Sequence, residues 1–186
     1  GGNPQAGINM YHGNSNLIEN VIVLDSIPRS DSTNSAFYVT AHSPPPNASG
    51  NRFYGIIALN NEGIGWYVDH NGIGSNNELH NSVIWDSTRQ GVVVYAADDN
   101  NCVGNIAEHN TIGSNDRDGA ANYCQTLTFT SNIVTSNSGY GINQGAGSMQ
   151  VSNYNDFYQN TSGARTGISA GANDILTNPS LKYILR

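Results

Sequence analysis

A block of nine residues recurs six times along this chain, and that recurrence constrains the fold more than any single motif. The copies are IENVIVLDS (18–26), FYGIIALNN (53–61), LHNSVIWDS (79–87), CVGNIAEHN (102–110), FTSNIVTSN (129–137) and VSNYNDFYQ (151–159). Each opens on a hydrophobe or Cys, and five of the six carry Ile or Val at the fifth place. The third place holds Asn20, Gly55, Asn81, Gly104, Ser131 and Asn153, residue types that tolerate left-handed or turn conformations. The blocks start 35, 26, 23, 27 and 22 residues apart. Spacings of this size are the signature of a stacked repeat.

A second repeat lies between the first: GINMY (7–11), AFYVT (36–40), GWYVD (65–69), GVVVY (91–95), GAANY (119–123), GINQG (141–145) and GISAG (167–171). Its second and fourth places are mostly apolar, and alternation with period two means a strand with one buried face. No stretch sustains a helical period. Short strands at such intervals predict a parallel β-solenoid whose coils stack about 4.8 Å apart.

The composition agrees with this reading. Only 11% of the 186 residues are charged and 21 are Gly, which without a period would suggest disorder. In a solenoid, inward Asn side chains stack as hydrogen-bonded ladders, so a chain rich in Asn and poor in charge is expected. HSPPPNASGN (42–51) predicts a protruding polar loop. The net charge of −7 argues against nucleic acid as a partner, and no apolar run is long enough for a membrane span. Cys102 at a first place and Cys124 beyond its strand occupy non-equivalent positions in the coil, which predicts free thiols.

These repeats resemble those of the right-handed parallel β-helix proteins, the pectate-lyase-like superfamily, over nearly the whole chain. The ending YNDFYQN…GANDILTNPSL (154–181) is similar to the last coils of many members. The expectation is therefore an all-β, right-handed parallel β-helix of about seven coils without significant helix. It would form one domain over 1–186, or the C-terminal part of a longer β-helix. NDILTNPSLKYILR, with Pro179, Leu181, Ile184 and Leu185, would cover the last coil. The first coil has no such cover, which predicts either that the chain is the C-terminal part of a longer β-helix or, if it is complete, that the first coil pairs end to end with a second copy.

The third and fifth places of the strand repeat should face outward in two columns holding Tyr11, Tyr38, Thr40, Tyr67, Asp69, Val93, Tyr95 and Tyr123. Such a ladder either serves the strands alone or stacks on sugar rings. His12, His42 and His70 lie just beyond these strands, and YVDHNG (67–72) brings a phenol, a carboxylate and an imidazole together. Those groups can abstract and return a proton.

Mannuronan epimerases and related alginate lyases on this fold carry Y-G-F-D-P-H, an Asp one coil on, and then N-D-R-H-G. The order here is similar: Tyr67-Val68-Asp69-His70, then Asp98 and Asp99, then Asn115-Asp116-Arg117-Asp118-Gly119. The resemblance implies Asp69, His70, Tyr67 and Tyr95 at a catalytic centre, with Arg117 clamping a substrate carboxylate. It implies a substrate strip through Tyr11, Tyr38, Tyr123, Asp98 and Asp99. The chain departs from the pattern in three ways. No Pro separates Asp69 from His70, Asp118 replaces the His, and the sole lysine is Lys182. No cofactor is expected, although Asp116 and Asp118 have the chemistry of a calcium site. The expected function is binding or modification of an extracellular polysaccharide by a secreted or cell-surface protein. The alternative is a non-catalytic adhesive or structural solenoid.

Overall fold

Most corners of this fold are made by one left-handed residue followed by one inward polar side chain. The computed structural model describes residues 6–26, 34–41, 47–70, 74–96, 102–145 and 151–181, with the side chains of Ala41, His70 and Val151 not among them. Among the described residues, nineteen short strands form three parallel sheets. Sheet A contains β1 (Ala6–Tyr11), β4 (Ser35–Ala41), β7 (Ile64–His70), β10 (Val92–Ala96), β13 (Ala120–Tyr123), β16 (Tyr140–Gln144) and β19 (Gly163–Thr166). Sheet B contains β2 (Leu17–Glu19), β5 (Arg52–Tyr54), β8 (Glu78–His80), β11 (Asn105–Glu108), β14 (Leu127–Thr130) and β17 (Val151–Asn153). Sheet C contains β3 (Ile22–Leu24), β6 (Ile57–Asn61), β9 (Val83–Ser87), β12 (Thr111–Gly113), β15 (Ile133–Thr135) and β18 (Asp156–Tyr158).

The chain therefore winds as an all-β parallel solenoid, with sheets A, B and C as its three walls. Seven coils is a slight overcount, because the last turn contributes β19 alone.

The nine-residue block builds sheets B and C and the corner between them. Its third place is Asn20, Gly55, Asn81, His109, Ser131 and Tyr154, all at φ between 50° and 61°. Its eighth place is Asp25, Asn60, Asp86, Ser114, Ser136 and Gln159, also left-handed. Such a conformation is uncommon outside Gly, and it turns the chain sharply enough for the next side chain to enter the core. Two of the blocks assigned from sequence are out of step. The register pairs Leu79 with Ala107 and Ala107 with Phe129, so the fourth block starts at Ala107 rather than Cys102. Phe129 pairs with Ser152, which moves the sixth block by one.

The inward polar residues stack into ladders along the axis. Asn132 donates Nδ2 to Asn155 Oδ1 at 3.1 Å and to the Ala107 carbonyl at 3.0 Å. Its own Oδ1 accepts from Asn110 Nδ2 at 3.0 Å and Asn110 N at 2.9 Å. Both donors and both lone pairs of the amide are thus used, the condition for burying it without penalty. Asn115, Asn137 and Asn160 repeat the pattern at the corner between sheets C and A. Asn16, Asn51, Asn77 and Asn105 do so where the chain enters sheet B.

The third ladder stops at Asn105, whose register partner in the next turn is Leu127. There the two turns are joined covalently instead. Cys102 and Cys124, one turn apart, form a disulfide with Cα atoms at 5.2 Å. The expectation of free thiols is overturned. It rested on placing Cys102 at the start of a block, whereas Cys102 sits three residues before the ladder Asn, directly above Cys124.

Inside the ladders run columns of hydrophobes. Ile18, Phe53, Leu79, Ala107 and Phe129 line sheet B, and Val23, Ala58, Ile84, Ile112, Val134 and Phe157 line sheet C. Phe53 meets Phe37 and Trp66 of sheet A edge to face at 6.0 and 5.8 Å.

The C-terminal end is closed by Asp174 rather than by another amide. Its Oδ1 accepts from Asn155, and its Oδ2 takes Gly171 N and the Arg165 guanidinium, which lies over the Phe157 ring. Ile175 then bridges to Asp156 as one further rung of sheet C. Pro179 and Leu181 are half-buried, and Ile184 and Leu185 lie outside the described residues. Of the loop expected at 42–51, residues 42–46 lie outside the described residues. Ala48 is buried and Asn51 belongs to a ladder.

Candidate functional site

The outer face of sheet A carries the two columns expected from the sequence. Register places Asn9, Tyr38, Tyr67, Val93 and Ala121 in one, and Tyr11, Thr40, Asp69, Tyr95 and Tyr123 in the other. Solvent exposure differs from the expectation. Tyr38, Tyr67, Val93 and Ala121 form a second apolar cluster with Ile64, separate from the main core. Tyr38 and Tyr67 are stacked with centroids 5.2 Å apart, and both are buried. Asp69 is buried too, accepting from the Tyr38 hydroxyl at 2.5 Å. Tyr11 and Tyr95 remain open to solvent, at 52% and 38% exposure. Tyr95 meets the half-buried Tyr123 edge to face at 5.9 Å.

Burial shapes the chemistry of these phenols. It pushes the Tyr67 hydroxyl far above its ordinary value, with Asp69 and Tyr38 adding to the effect. Tyr67 therefore stays protonated at neutral pH and is a proton donor, not a base. Tyr123 is raised by burial and by Asp118, while Arg117 and Arg89 act in the opposite sense. Those two arginines hold the same place in adjacent turns: Arg89 N donates to Gly63 O, and Gly139 N donates to Arg117 O. They reach the outer face from the corner where strands enter sheet A. Asp69 and Tyr95 lie toward the exit. Arg117 precedes β13, while Asp69, Tyr95 and Tyr123 share one register at the far end of their strands, so the structure does not bring Arg117 and Asp69 together.

The stretch Asn115–Gly119 divides its labour. Asn115 is a ladder residue, and Asp116 and Arg117 are exposed. Asp118 accepts from Tyr140 N at 2.7 Å and Asn143 Nδ2 at 3.1 Å, so both carboxylate oxygens fix the next turn. Among the described residues no group of three or more His, Cys, Asp or Glu is disposed to hold a metal ion. His70 ends β7 at the register of Ala96, and its side chain lies outside the described residues. Asp98, Asp99 and His42 lie outside them as well. His12 stacks on Tyr11 at 3.9 Å.

A second cluster, on the outer face of sheet B, was not singled out from the sequence. Tyr54 stacks on His80 with centroids 4.8 Å apart and planes 11° from parallel. Glu78 Oε2 lies 3.3 Å from His80 Nε2 and accepts from the Tyr54 hydroxyl at 3.2 Å. Burial, and then Glu78, raise the Tyr54 phenol above its ordinary value. Glu108 lies 3.7 Å from His80 Nδ1 and 4.0 Å from His109 Nδ1, and it accepts from Thr130 Oγ1. The signal was the second place of each block, which reads Tyr54, His80, Glu108 and Thr130 once the register is right.

Comparison of the chain with protein-family models, curated proteins and solved structures gives no match, so the reading of function rests on the geometry.

Proposed function

We propose that this chain binds an extracellular polysaccharide bearing carboxylates along the outer face of sheet A. One observation carries the reading. The exposed ring of Tyr95 stands edge-on to Tyr123 on the wall whose entry corner carries Arg89 and Arg117, in a chain of net charge −7. Aromatic rings offer stacking surface to sugar C–H faces, and Arg pairs with carboxylates through two parallel hydrogen bonds. A disulfide between neighbouring turns supports an oxidising, extracellular setting. Epimerase- or lyase-like modification would draw on Tyr67 as the acid and on Asp69 at the register of Tyr95. A glycan array comparing polyuronates with neutral glycans tests binding, and release of unsaturated uronate tests turnover. Binding that is indifferent to Tyr95→Ala and Arg117→Ala would remove the proposal.

A second reading, an adhesive or structural solenoid without turnover, is favoured by the burial of Tyr38, Tyr67 and Asp69 against one another. It predicts no change in a polyuronate's chain length or epimer ratio on prolonged incubation.

A further inference from the structure

Sheet C turns a third surface outward, and a hollow on it is lined by none of the residues of the Tyr95 strip. Trp85, Gly113, Thr135 and Tyr158 hold one outward register position in four successive turns. Gly113 is what lets the Trp85 ring lie flat along the axis. A Cβ there would come within 2.4 Å of Trp85 Cζ3 and 2.6 Å of the Thr135 carbonyl oxygen. The indole therefore covers the next turn, leaving a trough between it and the Tyr158 ring.

The chain then doubles back. After bridging at Ile175 it returns along sheet C, and Asn178, Pro179 and Leu181 wall the trough. The result is a pocket of about 270 Å³. Its floor and ends are aromatic. Its rim is Ser136, Gln159 and Asn178, with the Thr135 hydroxyl 3.2 Å from that of Ser136. None of the described residues lining it is charged.

We propose that this pocket is a binding site for a short uncharged saccharide. Two aromatic side chains with hydroxyl and amide groups around them match the alternating apolar faces and hydroxyl edges of a sugar ring. The described lining offers hydroxyl and amide partners rather than a charge for a carboxylate, so a neutral sugar is the expected ligand, unlike the uronates proposed for sheet A. The inference stands apart from that assignment: it uses a different sheet, different residues and a different ligand class.

The chain reports on this pocket itself. It has two tryptophans, Trp66 with no exposure and the half-buried Trp85, so a ligand-dependent change in indole emission is assigned to Trp85. The intact protein would be titrated with maltohexaose, cellohexaose, mannohexaose and xylohexaose, and with an oligouronate. The expected result is a saturable change with at least one neutral sugar and none with the oligouronate. Tyr158→Ala should weaken that binding about tenfold, the scale of one lost aromatic contact. Gln159→Ala, at an exposed rim position, should weaken it measurably. Tyr95→Ala should leave it unchanged while impairing any polyuronate binding. A flat titration with all four neutral sugars overturns the proposal. So does binding that survives both pocket variants when circular dichroism shows them folded, or binding that the oligouronate wins.

Discussion

The Tyr38 hydroxyl donates to the Asp69 carboxylate at 2.5 Å, across the neighbouring strands β4 and β7, with both groups buried on the outer side of sheet A. A carboxylate in that position depends on its donor, because solvent reaches it poorly. Tyr38→Phe removes the donor and keeps the ring stacked on Tyr67. The expected cost is about 1–3 kcal/mol of unfolding free energy, the range for a hydrogen bond to a charged group. Urea denaturation measures it, and a loss under about 0.3 kcal/mol would show that the bond is immaterial.

The disulfide closes a loop of 22 residues between adjacent turns. A loop of that length restricts the unfolded chain by about 3 kcal/mol. Replacing both cysteines with Ala should lower stability by about that amount and leave the far C-terminal turns folded longest under proteolysis. The unaltered chain, denatured without reductant, should show no free thiol.

How much of this was legible in the sequence depends on how local each feature is. The left-handed third place and the alternating strands were legible, because conformational tolerance and period-two burial belong to single residues and their neighbours. The step from Leu79 to Ala107 was not, since Ala gives no hydrophobic signal where the column needs only a small side chain. That slip hid the pairing of Cys102 with Cys124 and the place of Glu108 beside His80. The burial of Tyr38 and Asp69 depends on what lies over sheet A, which no strand pattern encodes. The ladders were foreseen as a type, but three separate ones required the corners to be placed.

Asn132 tests the ladders. Asn132→Ala leaves the backbone N of Asn110 without its partner, takes the side-chain donor from the Ala107 carbonyl and breaks both amide–amide bonds. Each buried group left unmet costs about 1–3 kcal/mol, so a loss of at least about 3 kcal/mol is expected in denaturant unfolding. Asn14→Ala, an exposed position outside the ladders, is the control.

Asp156 gives a pH-dependent prediction. Burial raises its carboxyl above the ordinary value of 3.8, opposed by a backbone hydrogen bond from Thr177. A raised acid favours folding only while it is protonated. Its contribution is therefore full below the ordinary carboxylate range and is lost as pH rises through the folded value. Asp156→Asn should accordingly melt higher than the unaltered chain at pH 7, with the gap closing as the pH falls below about 3.8. An unchanged gap across that range would mean that ionisation of Asp156 is not responsible.

The nine residues from the inward hydrophobe of sheet B to the ladder residue ahead of sheet A never vary in number, while hydrogen-bonded ladder partners are 35, 26, 28, 22 and 23 residues apart in successive turns. All variation in length falls on the rest of the turn, around sheet A. Two walls of the prism thus act as a ruler of fixed gauge, and the third is the side where segments can be lengthened or exchanged. A whole turn cut at the ladder residues could be duplicated or deleted without changing the frame of its neighbours. Lineages carrying such a chain would be free to remodel one flank turn by turn while the scaffold stays the same.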